Sequence, residues 1–205
     1  VQYRERSAAM AHSTLRLNFH GWFVECAIRS LRSRYCTVGM LLFCAKPLRM
    51  DILHTGTAYN SIFGNTTLTL NTWHHVAGVF DGSQYRLYVD GVLDASTANT
   101  YAPASGTANL AIGRDTTGSY QYFAGLIDEV RVSNTAVYTS SFTPAQHLTA
   151  TGSTKGLWKF DSQSPNDSSG NSNNGTLQNG AGWRRIGFSK APTFLCPAKD
   201  IEGGV

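Results

Sequence analysis

The residues best suited to chemistry in this 205-residue chain are two adjacent histidines, His74 and His75, two adjacent acids, Asp128 and Glu129, and the aspartates Asp161 and Asp167. The histidines lie in NTWHHVAGVFDGSQYRLYVDGV (71–92), where apolar and polar residues alternate. Successive side chains of a strand point to opposite faces. Trp73, His75, Ala77 and Val79 therefore share one face, and His74, Val76, Gly78 and Phe80 share the other. The two histidines diverge and cannot ligate one metal from one face. In the returning strand Tyr85, Leu87 and Val89 oppose Arg86 and Tyr88, and Asp90-Gly91 supplies the next tight turn. The histidines read as groups that frame loops at a sheet surface.

The acids in YFAGLIDEVRVS (122–133) obey the same alternation. Leu126, Asp128, Val130 and Val132 are expected on one face, and Ile127, Glu129 and Arg131 on the other. Asp128 then has apolar neighbours and needs backbone donors, a cation or a metal to compensate its burial. Glycoside hydrolysis requires two carboxylates facing each other roughly 5–9 Å apart. The strand-like runs contain no such pair, and the chain carries no Gly-x-Ser-x-Gly elbow, P-loop or zinc-protease helix motif. The cysteines, Cys26, Cys36, Cys44 and Cys196, follow no zinc-site spacing.

The elements that must position these residues are short strands. Residues 57–150 repeat strand-like runs between turn residues: TLTL (67–70), WHHVAGVF (73–80), YRLYV (85–89), NLAIG (109–113) and YFAGLIDEVRVS. Such spacing with little charge (15%) predicts an all-β, antiparallel sandwich rather than a parallel α/β sheet. The net charge of +4 is uneven. Residues 1–50 hold eight Lys/Arg against two acids, and residues 51–205 hold nine against eleven. A basic balance confined to one end, with no nucleic-acid motif, argues against nucleic-acid binding. The longest apolar run, Thr37 to Ala45, is too short to span a bilayer. HGWFVECAIRSLRSRY (20–35) has apolar residues Trp22, Val24, Ala27, Ile28 and Leu31 at loosely helical spacing, which suggests a short amphipathic helix.

NTWHHVAGVFDGSQYRLYVDGVL, NLAIGRD and GLIDEVRVSNTAVYTSSF, in that order, resemble the LamG-like jellyroll domains of the concanavalin A-like lectin/glucanase superfamily, alongside laminin G modules and pentraxins. The resemblance covers residues 57–150 and implies a jellyroll core there. GLWKFD followed by DSSGNSNNGTLQNGAGW (156–183) is similar to the opening of such a domain. Residues 151–205 are thus read as a linker and the start of a truncated second repeat with an atypical tail. The alternative is that this segment pairs back onto the first sandwich. Residues 1–56, rich in Arg and Cys, lack the expected opening strands. They are read either as non-native peptide, from frame shifts near residues 55 and 183, or as a divergent first half. The sandwich is accordingly expected to be incomplete on its amino-terminal side.

The resemblance also implies functions. Superfamily members often hold calcium at the sandwich rim, which makes Asp128, with Asp161 and Asp167, the candidate Ca2+ ligands; loop anchoring through backbone N–H groups is the competing role. Concave sheets and rim loops of this fold stack sugars on aromatic rings, which brings forward Tyr59, Tyr88, Tyr101, Tyr120 and Tyr122. The glucanase branch relies on Glu-x-Asp strands that this chain lacks. The expectation is a non-catalytic extracellular or cell-surface recognition or adhesion module in a larger multi-repeat protein. It would bind glycan or an extracellular protein and would not insert in a membrane. A structural spacer without a specific ligand is the alternative, and a glycan-active enzyme fragment is a third reading. Asn-x-Ser/Thr sequons at Asn65, Asn166 and Asn174 are compatible with secretion.

Overall fold

The computed structural model describes residues 9–12, 22–30, 42–44, 48–53, 59–69, 71–98, 110–113, 123, 125–184 and 193–196. In chain order the first strands are β1 (Ala9–His12), β2 (Trp22–Ser30), β3 (Leu42–Cys44), β4 (Leu48–Leu53) and β5 (Tyr59–Phe63). Then come β6 (Trp73–Phe80), β7 (Gln84–Val89), β8 (Val92–Ala98), β9 (Leu110–Ile112) and β10 (Gly125–Ser133). The last are β11 (Thr154–Trp158), β12 (Leu177–Gln178), β13 (Gly182–Arg184) and β14 (Thr193–Cys196). The pairings are antiparallel, and among the described residues there is no α-helix. The all-β sandwich expected from the sequence is the observed class.

The large sheet runs β13-β14-β10-β2-β6-β7-β8, with β11 also paired to β10. Its inner face meets two three-stranded sheets, β3-β4-β5 and β12-β1-β9. Val76, Leu87, Ile127 and Val130 of the large sheet join Leu48, Met50, Ile62 and Ile112 of the small ones in a single core. Its outer face is covered by an irregular strap, residues 134–150, through Ala136, Val137, Tyr138 and Phe142.

The opening hairpin forms as its alternation requires. Phe80 pairs with Tyr85 across β6 and β7, and their rings stack at 4.4 Å. The turn between them is set by Asp81, whose carboxylate accepts the N–H groups of Ser83 and Gln84, each at 2.8 Å. Burial pushes the Asp81 carboxyl up, but the Ser83 N–H and hydroxyl, the Arg86 guanidinium and the Gln84 N–H outweigh it and hold it well below the usual carboxylate range. Between β7 and β8 the two-residue turn Asp90-Gly91 has φ of 50° and 79°, the left-handed geometry that matches strand twist.

Two sequence expectations give way. Trp22–Ser30 is a strand, not a helix, and it lies at the centre of the large sheet between β10 and β6. Partners on both edges override the helical spacing. Thr67–Thr69 form no strand, because this backbone turns away to bond side chains: Thr69 N–H donates to His74 Nε2 at 3.1 Å. Strand β11 pairs with β10, as Val130↔Trp158 and Val132↔Gly156, and β14 pairs with the start of β10. Both segments thus pair within the large sheet. Gly156 permits this: a Cβ there would lie 2.3 Å from the Trp158 ring.

Gly91 offers the sharpest test of this architecture. A Cβ at residue 91 would lie 1.9 Å from the Phe142 carbonyl oxygen, and that turn also accepts the Phe142 N–H at 2.8 Å. Gly91→Ala adds left-handed strain and a backbone clash, and is expected to lower unfolding free energy by about 3 kcal/mol. Urea unfolding measures this; an unchanged midpoint would show that the strap does not seat on this turn.

Candidate functional site

Two faces of the sandwich were candidates for chemistry, and their residues separate them. On the outer face of the large sheet, the register aligns Arg131 (β10), Glu25 (β2), Ala77 (β6) and Tyr88 (β7) in one row across four strands. Glu25 is fully buried, and the Arg131 guanidinium pairs with its Oε1. Its Oε2 accepts from His75 Nε2 at 2.8 Å and from the Tyr138 hydroxyl at 3.0 Å. A carboxylate only accepts, so His75 carries its proton on Nε2. Arg131 also donates to the Thr149 carbonyl at 2.9 Å, which ties the strap to the sheet. Tyr138 stacks on Phe142, and Phe142 in turn meets the edges of His75 and Tyr88. Burial, and then the adjacent Glu25 charge, push the Tyr138 hydroxyl far up. This constellation of Glu, His, Arg and Tyr looks catalytic in composition, but it is sealed: each charge is consumed within it.

The second histidine is equally occupied. His74 Nε2 accepts from Thr69 N–H, so Nδ1 bears the proton and donates to Asp90 at 2.8 Å. The histidines diverge and hold loops, as the alternation indicated.

The other sequence candidates are dispersed. Tyr88 is fully buried between the sheet and the strap, with Tyr138 and Phe142 against its ring, so it cannot present a face to a sugar. Tyr101, Tyr120 and Tyr122 lie outside the described residues. In β10 the register shifts between Asp128 and Val130, where Glu129 adopts φ 50°. This bulge corrects the predicted faces: Ile127, Val130 and Val132 point into the core, and half-buried Asp128 lies on the opposite side. The bulge re-aims Glu129, which accepts Leu148 N–H at 2.6 Å and pairs with His147 at 2.9 Å. Loop anchoring by a β10 acid is therefore seen, one residue beyond the one named for it. Asp161 is exposed on a short 3₁₀ turn, Asp161–Gln163. Asp167 is saturated by the N–H groups of Leu157, Ser169 and Asn173 and by the Ser169 hydroxyl.

Calcium needs six to eight oxygens converging on one point. Asp128, Asp161 and Asp167 do not fit that demand: the Asp167 carboxylate is filled by donors, and among the described residues no three His, Cys, Asp or Glu side chains converge as a metal-holding group.

The open surface is the outward face of β3-β4-β5. Leu48 and Met50 (β4) and Ile62 (β5) turn into the core, so Ser61 and Phe63 turn out, and Phe63 is 54% exposed. The register sets Arg49 opposite Phe63, Asp51 opposite Ser61, and Phe43 (β3) opposite Arg49. Phe63 is fixed from both sides. Gly64 N–H donates to the Leu48 carbonyl at 2.7 Å, and Asp94 of β8 accepts the N–H groups of Asn65 and Thr66 at 3.0 and 2.9 Å. A Cβ on Gly64 would lie 2.0 Å from that Asp94 carboxylate. The sequence reading missed Phe63; the alternation Tyr59, Ser61, Phe63 in YNSIF was the signal that could have found it.

Two outcomes test the sealed face. Arg131→Met leaves Glu25 buried without its countercharge and is expected to cost about 3–5 kcal/mol, most of which returns in the Arg131→Met/Glu25→Leu double variant. A denaturant cycle with no recovery would contradict the pairing. Alkali gives an independent check. Burial pushes Tyr85 up to about 12 from 10.0, and Tyr138 shifts in the same direction. The folded state then holds these protons more tightly than the unfolded chain. Stability is fully present below pH 10 and falls as pH rises toward 12. A denaturation midpoint flat across that range would refute the burial, and Tyr85→Phe should remove part of the slope.

The laminin G-type model of the concanavalin A-like lectin/glucanases superfamily matches residues 28–141. Among solved structures, the chain is similar to a protein from Bacteroides ovatus to which carbohydrate binding has been ascribed. The identity is 17% over 87% of this chain and 60% of that one, with a TM-score of 0.61. It thus spans about 60% of that protein's length. It is also similar to the native heptameric SAP-like pentraxin of Limulus polyphemus, at 13% identity over 67% of this chain and 75% of that one, with a TM-score of 0.50. These likenesses concern the fold. No curated protein matches the chain in sequence. With the match spanning more than half of its residues, the chain belongs to the concanavalin A-like lectin/glucanases superfamily.

Proposed function

We propose that this chain is a non-catalytic glycan-recognition module of a larger extracellular or cell-surface protein, and that the outward face of β3-β4-β5 is its binding surface. The observation that carries the reading is Phe63, a large aromatic ring left more than half exposed on a strand whose neighbours are locked. An aromatic face presented on a rigid sheet stacks on the C–H face of a pyranose, while adjacent polar groups bond its hydroxyls. The register brings Ser61, and residue types that bond hydroxyls in Arg49 and Asp51, to the neighbouring positions. The ascribed role of the Bacteroides ovatus relative supports the same class of ligand. The non-catalytic part of the reading is supported by the fate of the carboxylates: Glu25, Asp81, Asp90, Asp94, Glu129 and Asp167 all accept hydrogen bonds from the protein itself. Among the described residues no helix is long and apolar enough to cross a membrane.

A glycan array with the wild-type chain and Phe63→Ala tests the proposal. Specific binding by the wild type is expected, with affinity reduced about tenfold in the variant by loss of the stacking ring. Since Phe63 is exposed, the variant should keep its unfolding midpoint. Silence of the wild type across the array would favour a spacer repeat, and unchanged binding by the variant would move the site elsewhere.

A further inference from the structure

The chain contains two Asn-Gly pairs, Asn174-Gly175 and Asn179-Gly180. Such pairs can modify themselves. The backbone nitrogen of the glycine attacks the Asn side-chain carbonyl carbon, the Cγ–Nδ2 bond breaks, and ammonia leaves with the proton from that nitrogen. Water then opens the cyclic imide to aspartate or isoaspartate. The reaction needs a free side-chain carbonyl, an amide N–H that base can reach, and no bulk on the attacking residue, which glycine provides.

The fold treats the two pairs in opposite ways. In the first, Asn174 Oδ1 accepts Asp167 N–H at 3.0 Å, and Gly175 N–H donates to the Pro165 carbonyl at 2.8 Å. Both electrophile and nucleophile are held. Their clamp is itself held, because Asp167 is anchored to Leu157 of β11, and Asn173 Nδ2 donates to the Lys155 carbonyl at 2.7 Å. In the second pair, Asn179 and Gly180 are the two central residues of the turn between β12 and β13, with φ of 53° and 83°. That turn closes through Ala181 N–H to the Gln178 carbonyl at 3.2 Å, which leaves the central Gly180 amide outside the ring of bonds. Both residues are exposed, and among the described residues no side-chain hydrogen bond holds Asn179.

We infer that Asn179 is a site of spontaneous modification, converting to aspartate and isoaspartate and adding a negative charge to the turn after β12, while the fold protects Asn174. Each hydrogen bond at Asn174-Gly175 must open before attack, and two such bonds slow the reaction about thirtyfold relative to an unclamped pair.

The test is peptide mapping by mass spectrometry of the full chain after incubation in mildly alkaline buffer, with a second sample in concentrated urea. In the native sample, ammonia loss at residue 179 should outrun that at residue 174 by about thirtyfold, and isoaspartate should appear at residue 179. In urea the two rates should converge, since both pairs share the same local sequence. Equal native rates, faster conversion at Asn174, no conversion at Asn179, or a difference that persists in urea would each overturn the inference. Asn179→Gly, which keeps the left-handed turn, should abolish the signal at residue 179, and a remaining signal in that variant would also count against the site.

Discussion

The buried ion pair between Glu25 and Arg131 is the constraint from which the rest of the arrangement follows. A carboxylate with no solvent exposure is tolerated only if countercharge and donors reach it, and here three side chains do. One of them, Tyr138, belongs to the strap rather than to the sheet. The sheet therefore cannot satisfy its own charge without the strap. The strap in turn is fastened at Gly91, at Glu129 and at Arg131. The large sheet is thus covered on both faces, whereas no described element covers the outward face of the small sheet, which is the surface proposed for recognition. The composition that looks most like an active site is what closes the outer face of the large sheet off.

A second regularity is the use of acids as staples. Asp81, Asp90, Asp94 and Asp167 each accept at least one backbone N–H that no ladder could satisfy, at turns and strand ends. Unpaired backbone donors are costly away from water, and a short carboxylate reaches two or three of them at once. Two of the four, Asp81 and Asp90, stand directly before a glycine that turns the chain. In Asp167, one of the acids named for calcium, both carboxylate oxygens are already taken by the protein's own donors.

How much of this was legible in the sequence depended on whether local pattern or long-range contact decided the outcome. The β6–β7–β8 hairpins were readable because period-two alternation and Asp-Gly turn chemistry agree there. The phase of β10 was not, since a single left-handed residue, Glu129, shifts the register, and its reason, capture of Leu148 N–H, lies nineteen positions away. The period of β2 was ambiguous, because Trp22, Val24, Cys26 and Ile28 fit a strand while Val24, Ala27, Ile28 and Leu31 fit a helix, and only its partners on both edges decide between them. Phe63 is a different case: the alternation in YNSIF separates it from Ile62, but only the inward turn of Ile62 shows which of the two faces is open.

Recognition on a flat, exposed surface works only if the surface does not have to be ordered when the ligand arrives, because ordering a side chain or loop subtracts from affinity. The neighbourhood of Phe63 meets this requirement through the least conspicuous contacts in the molecule. β5 is paired with β4 along its whole length, from Arg49↔Phe63 to Leu53↔Tyr59. The residue after Phe63 is a glycine wedged beneath the Asp94 carboxylate, and the next two residues donate their N–H groups to that same carboxylate. Asp94 belongs to β8, the edge strand of the large sheet, so the small sheet is tied to the large one at the point where the exposed ring emerges. The rigidity set by a buried charge on one side of the sandwich reaches the open face on the other through this aspartate. The backbone around Phe63 is thus set by the protein's own bonds, which is what the proposed stacking on its ring requires.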